Sequence, residues 1–325
     1  MPTSVTSLAT LRPDLAESFE AFDLEAEKAG YIARKVLPTV DVASQAGNFG
    51  KIPLEQLLQQ RDTKRAPGSG YSRGNFTFDD STYSCKENGA EEPIDDREAK
   101  MYAEYFDAET VSTQRAYNAV LANAEKRVAD AIFNTSTWTG ASLSTDVSSV
   151  PWATIASAKP LANVEAAVQK VYDGSGLWPN ALVINKKVFR NLRNTPEVID
   201  RIASSGAGDR NLASDVTLQM LAQAFDLDYI IVAGGSQNTA KEGQTASVGQ
   251  IWSSTYAMVC KVATSGDFRE PCVGRTFHWS ADGSNIDGAI ESYRDETVRA
   301  NIIRVRNDVD EVILYAQAGH LLKIA

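Results

Sequence analysis

Two histidines, His278 and His320, and three cysteines, Cys85, Cys260 and Cys272, are the side chains of this 325-residue chain best suited to nucleophilic or metal chemistry. Their spacing supports little of it. The cysteines are far apart, follow no zinc-ligand pattern and cannot all pair within one chain, which fits a reducing compartment. His278 stands in Phe277-His-Trp279, where strand alternation sends it away from its neighbours and into packing or an ordinary hydrogen bond. His320 follows Gly319 and reads as a turn residue. Cys260 lies in an apolar strand and behaves as a small hydrophobe.

Phosphate chemistry fares no better. Gly68 to Gly74 is glycine-rich, but Arg73 and Gly74 occupy the places where a phosphate-binding loop needs Lys and Ser or Thr. Gly234 and Gly235 follow a strand, yet a third glycine and a helix start are missing, so a tight turn is the better reading. Glu91, Glu92, Asp95 and Asp96 are close enough to hold a cation, but such clusters are more often solvated or paired with bases. The expectation is therefore no catalytic, cofactor or metal site.

Charge organises the chain more clearly. With 32 basic and 42 acidic residues the net charge is -10, against a protein that grips nucleic acid through a broad basic face. Yet residues 51–75 are basic: Lys51, Arg61, Lys64, Arg65 and Arg73 oppose only Glu55 and Asp62, among helix-breaking Pro67, Gly68, Gly70 and Gly74. Asn75-Phe-Thr-Phe78 then alternates like a strand. From Asp79 to Glu109 the balance reverses, with only Lys86, Arg97 and Lys100 among many acids. A long basic excursion beside an acidic segment points to pairing, within one chain or between neighbours, with Arg61, Lys64, Arg65 and Arg73 facing Glu91, Glu92, Asp95 and Asp96.

The elements around these segments read as mixed α and β. Residues 1–50 resemble an arm, with short helical patterning over Leu11 to Lys35 that Pro38 interrupts. Tyr117, Val120, Leu121, Ala124, Val128, Ala131 and Ile132 make one stripe on a helix from about Glu109 to Asn134, started by Asp107 or Thr110. Helices at Leu161 to Tyr172 and Val216 to Phe225 and strands at Ala181 to Ile184 and Tyr229 to Val232 form an α/β middle. The last third is mostly strand: Ala257 to Val262, Arg275 to Trp279, Ile303 to Arg306, Val312 to Tyr315 and Leu321 to Ile324. In Ile303 to Arg306 the isoleucine and valine face inward and the arginines face water. No apolar run approaches the ~18 residues of a membrane helix, and no secretory signal opens the chain.

The stretch from Pro179-Asn-Ala-Leu-Val-Ile-Asn-Lys-Lys-Val-Phe-Arg-Asn-Leu-Arg-Asn-Thr-Pro to Ile202 resembles tailed-phage major capsid proteins of the HK97 fold. So do Val216 to Phe225 before the strand at Tyr229, Asn238-Thr-Ala-Lys-Glu-Gly243, Gly274-Arg-Thr-Phe-His-Trp279 and the closing Asp308 to Ile324, in matching order. The resemblance implies an α+β fold with an N-terminal arm (1–48), an extended E-loop (49–85), a peripheral domain with the spine helix (86–139), an axial domain (140–290) and a return to the peripheral domain (291–325). It implies hexamers and pentamers closing an icosahedral virion shell, often of T=7 geometry, around double-stranded DNA held without sequence-specific contacts. The implied partners are further copies of the chain, a separate scaffolding protein, a portal and a decoration protein, with assembly in the host cytoplasm. The prototype of the family cross-links its loop lysine to a neighbour's asparagine, with a nearby glutamate assisting. No such constellation is evident around Lys51 or Lys64, so no cross-link is expected. An encapsulin-like non-viral shell and a small-molecule enzyme using the middle module near Gly234 and Gly235 are the alternatives.

Overall fold

A computed structural model describes residues 10–11, 30–51, 53, 56, 58–74, 77, 79–102, 108–204, 216–241, 243–267, 269–281, 283, 286 and 288–325. Most of the arm, Asn75, Phe76 and Phe78 of the expected strand, the Asp107 cap and most of the loop after Ile202 lie outside them. The strands in chain order are β1 (Thr10–Leu11), β2 (Thr39–Val42), β3 (Ala46–Lys51), β4 (Asp79–Ser84), β5 (Lys86–Asp95), β6 (Ser144–Asp146), β7 (Ala181–Asn185), β8 (Tyr229–Ala233), β9 (Ser236–Asn238), β10 (Val248–Gln250), β11 (Tyr256–Cys260), β12 (Gly274–Trp279), β13 (Ala289–Asp295), β14 (Ala300–Ile313) and β15 (Gly319–Lys323). The helices are α1 (Ala33–Val36), α2 (Asp96–Tyr102), α3 (Ala108–Ile132), α4 (Pro160–Ser175), α5 (Lys186–Asn194), α6 (Pro196–Ser204) and α7 (Leu218–Phe225).

Two sheets carry the chain. In the first, β14 is the axis: β13 and then β12 run antiparallel along one side, and β5 runs antiparallel along the other. β2 joins β12 in parallel, and β1 joins β13. Alternation sets its faces, with Ile303 and Val305 buried and Arg304 and Arg306 half-buried on the other side. The second sheet has the order β6-β15-β11-β7-β8. Its interior strand β7, Ala-Leu-Val-Ile-Asn, is buried along its whole length, as a strand covered on both faces must be.

The 25-residue α3 ties the sheets together. At 1.5 Å per residue it is about 38 Å long. Ala116, Tyr117 and Val120 in its first half pack with Ile94, Ile290, Ile303 and Val305 of the first sheet. Val128, Ala129 and Ile132 near its end pack with Val183, Met258 and Leu321 of the second. One apolar stripe thus serves two cores. The opposite face of the second sheet is covered by α4, α5, α6 and α7, through Val164, Val168, Leu192, Val198, Leu221 and Phe225.

Sheet membership does not follow the division at residue 290. β12 lies in the first sheet, and the final strand β15 lies in the second, between β11 and β6. His320 is also placed differently from the sequence reading. The turn is a short 3-10 segment at Ala316–Ala318, so Gly319 already opens β15 and His320 pairs with Val259, fully buried. Its Nδ1 lies 2.9 Å from the Ser142 carbonyl and must donate to it. Nε2 therefore accepts from the Thr145 hydroxyl at 2.8 Å, and that hydroxyl accepts from Lys170 Nζ at 2.8 Å. Burial lowers the His320 pKa, aided by the Lys170 charge against a carbonyl bond that opposes it. The unfolded chain takes up this proton first as pH falls, so the contribution is full above about 6.5 and is lost below it. The stability advantage of the native chain over His320→Asn is expected to shrink between pH 7 and pH 5 in thermal melts.

Gly234 and Gly235 serve packing. Gly234 N–H donates to Gly30 O at 2.9 Å, and a Cβ on Gly30, at φ +84°, would stand 2.8 Å from the Gly234 backbone. The Tyr31 ring fills the space over Gly235. Gly30→Ala is expected to cost at least about 1–2 kcal/mol from the left-handed conformation alone. Gly174→Ala, in open space on α4, should be neutral or slightly stabilising. Calorimetry on the pair checks both.

Candidate inter-subunit surfaces

β3 and β4 form a separate two-stranded ribbon, paired from Ala46 with Ser84 to Lys51 with Asp79. Beyond that last pair the chain runs outward, and every residue from 59 to 74 is exposed. Pro67 and Gly68 make the tip. Gly68 has φ +83°, and Ser69 N–H donates to Ala66 O at 3.1 Å, the type II geometry for which Pro-Gly is suited. The arms are shaped by side chains instead of a core. Arg65 Nε donates to Ser69 O at 2.7 Å with its guanidinium 4.7 Å from the Tyr71 ring centre. Thr77 N–H donates to Gln56 Oε1 at 3.0 Å, bracing the base. The Arg61 guanidinium lies where a Gly74 side chain would be. Lys64 and Arg73 have no side-chain partner among the described residues.

The root of the ribbon, in contrast, is pinned. The Tyr83 ring stacks on Phe277 at 4.8 Å, and Phe49 packs at 5.5 Å from the same ring. Ser84 N–H donates to Asp310 at 2.8 Å. Lys51 donates to the Leu314 carbonyl and stands 4.4 Å from the Tyr315 ring centre. Burial lowers the Lys51 pKa, and Asp79 across the ribbon opposes that shift. A firm root thus carries a loop that is exposed from residue 59 to residue 74.

The four acids of β5 and α2 take partners from adjoining elements. Glu91 is 2.6 Å from Arg304, Glu92 is 3.6 Å from Arg115, and Asp96 accepts both Arg294 Nη atoms at 2.6 and 2.7 Å. Asp95 accepts Arg97 N–H at 2.8 Å. The Arg294 bonds hold the Asp96 carboxyl below its usual range; desolvation opposes this, and the charges of Arg294, Arg299 and Lys100 add to it. Arg61, Lys64, Arg65 and Arg73 are not among these partners. Exposed pairs of this kind contribute little stability singly and mainly fix register.

Sequence patterning overlooks a further group. Glu125 is 1% exposed on the buried stripe of α3. Its carboxylate accepts Ile32 N–H at 2.9 and 3.0 Å, Ala33 N–H at 2.8 Å and the Trp252 indole N–H. Burial pushes its pKa up, and these donors pull it back. The contact fastens the segment entering α1 to α3 and to the loop before β11. The signal was its position: Glu125 shares the helical spacing of Tyr117, Leu121, Val128 and Ile132.

Chemistry elsewhere is sparse. Among the described residues no group of histidine, cysteine, aspartate and glutamate is placed to hold a metal. Burial lifts the Cys85 thiol to about 11 and the Cys260 thiol to about 12, suppressing the reactive thiolate. A cleft of about 730 Å³ runs along β8 between α1 and α7, lined largely by Ile32, Pro38, Leu218, Ala222, Ile230 and Val232. No described helix is long and apolar enough to cross a membrane.

This architecture is shared. The major capsid protein of Burkholderia phage BcepMu is 26% identical over 299 residues, covering 90% of this chain and 91% of that protein. The crystal structure of a phage-related protein from Bordetella bronchiseptica RB50 superposes with a TM-score of 0.71 at 21% identity, covering 98% of both chains. A virus-like particle from Pyrococcus furiosus gives 0.55 at 12% identity, over 94% of this chain and 98% of that one. No family model matches the chain. The chain has a mixed α and β fold, shared with these two solved structures over nearly the whole of each chain.

Proposed function

We propose that this chain is the major subunit of an icosahedral shell that encloses the double-stranded DNA of a tailed phage. Residues 1–48 are the arm, 49–85 the E-loop and α3 the spine helix, with peripheral and axial parts built on the first and second sheets. The chain acts by assembly and not by catalysis. Hexamers and pentamers close the shell, with T=7 as the working geometry. Scaffolding protein and portal guide closure. The observation that carries this reading is the exposed basic loop, firmly rooted at β3 and β4, whose Lys64 and Arg73 have no side-chain partner among the described residues. The net charge of -10 supports a wall that holds DNA without adhering to it.

Size-exclusion chromatography with light scattering tests the assembly step. Species at or above capsomer mass are expected, and a strict monomer at all concentrations and salts, with scaffold present, would contradict it. Lys51 is committed to its own subunit, which leaves Lys64 as the exposed loop lysine. Boiled particles are expected to run as single chains on denaturing gels, and covalent ladders would refute the absence of cross-links.

A further inference from the structure

The cleft along β8 lies on an open sheet edge. β8 is the last strand of the second sheet, and among the described residues no strand pairs with its outer side. Tyr229 N–H donates to Asn180 O at 2.9 Å, so alternation turns the N–H and C=O groups of Ile230 and Val232 away from β7. Gly234 N–H, the next in that row, points the same way and is taken by Gly30 O. The outward groups of Ile230 and Val232 have no such partner among the described residues. The lining of the cleft places it on this edge. Ile230 and Val232 pack with the core on one face of the sheet and Ile32 and Ile231 with the core on the other, and all four line the same space of about 730 Å³.

Edge strands are normally guarded by charge, proline or a bulge. β5, Lys-Glu-Asn-Gly-Ala-Glu-Glu-Pro-Ile-Asp, is guarded in that way. β8, Tyr-Ile-Ile-Val-Ala, carries none of these devices. Leu218 and Tyr229 line the same cleft and are 45% and 50% exposed, which adds apolar surface at its mouth. A row of backbone donors and acceptors between apolar walls suits an added strand, which would lie about 4.8 Å from β8. The β8 edge of a second copy does not fit, since it is sunk between its own α1 and α7 and brings the same cations. Those cations are Arg34 and Lys35, against Asp228 as the one acid of the lining, in a chain of net charge -10. Such a site favours an acidic partner. Resting on the proposed shell function, we propose that this five-stranded sheet takes a sixth strand from the scaffolding protein, an extended acidic segment whose alternate side chains are apolar. Main-chain bonds to Ile230 and Val232 hold it, its apolar side chains fill the cleft, and its acids face Arg34 and Lys35.

Amide hydrogen exchange on the unassembled native chain tests this, with overlapping synthetic peptides that tile the scaffolding protein as probes. In the chain alone the Ile230 and Val232 amides should exchange fast, beside slow amides at Ile231 and Ala233. One acidic peptide is expected to slow both fast amides by at least about tenfold. Val232→Pro removes one outward N–H and no ladder bond to β7, so the variant should fold and lose most of the protection. Lys35→Glu, exposed on α1, should weaken binding of the same peptide about tenfold with an unchanged melting temperature. Absence of protection by every peptide, or protection undiminished in both variants, overturns the added strand. Slow Ile230 and Val232 amides in the chain alone do so as well. They would mean that the chain covers its own edge or, where the slowing grows with concentration, that a second copy covers it. If chain and scaffold form particles while these results fail, the added strand alone is wrong. If they form none, the shell function is wrong, whatever the peptides show.

Discussion

Replacing Glu125 with alanine is expected to remove about 3–5 kcal/mol of stability, the range for stranding buried groups that lose a charged partner. Ile32 N–H, Ala33 N–H and the Trp252 indole would lose one shared acceptor in a site closed to water. Glu125→Gln should cost less, because an amide oxygen still accepts while its NH₂ faces other donors. The damage should be local before it is global. Residues 31–37 are held on α3 by this carboxylate and by burial of Ile32, Val36 and Leu37, so limited proteolysis should cut there first. Denaturant titration and mapping of the first cleavage site check both statements. Native protease resistance with an unchanged midpoint in Glu125→Ala would show that the latch is not structural.

The second large effect concerns assembly, not folding. Reversing Arg61, Lys64 and Arg65 to glutamate should leave the melting temperature almost unchanged, because the loop is exposed along its length. Particle yield should fall by orders of magnitude. A loss of only about 1 kcal/mol at each contact, repeated around a ring of six, amounts to about four decades in its equilibrium constant. Arg61 and Arg65 also shape the loop, through Gly74, Ser69 and Tyr71. The triple glutamine variant separates charge from shape: it should be impaired less than the glutamate variant if charge dominates. Normal particles at ordinary yield from the glutamate variant would remove the loop from the assembly interface.

The sequence made local periodicity legible and long-range pairing much less so. The stripe Tyr117, Val120, Val128 and Ile132 foretold α3, and the alternation at Ile303 to Arg306 foretold the two faces of β14, because both depend on neighbours a few residues apart. The exposed loop was visible in its prolines, glycines and charges. Nothing local says that β15 inserts beside β11, or that β2 adds to β12 in parallel, since those choices are settled by distant cores. The same holds for the acids. Asp96 and Glu91 meet Arg294 and Arg304 across about 200 residues of chain, so sequence proximity to the basic loop was a poor guide to their partners. Glu125 and His320 were missed for a different reason. A polar residue inside an apolar pattern reads as an interruption until the backbone N–H or carbonyl that satisfies it is seen, and those partners, at Ile32, Ala33 and Ser142, lie far away in the chain.

The shell function is tested most directly by electron microscopy of the purified native chain co-expressed with its scaffold, with particle mass measured by light scattering on the same sample. Closed, uniform shells tens of nanometres across are predicted, their diameter fixing the triangulation number. Monomers or small oligomers under every salt condition, with scaffold present, would contradict the account.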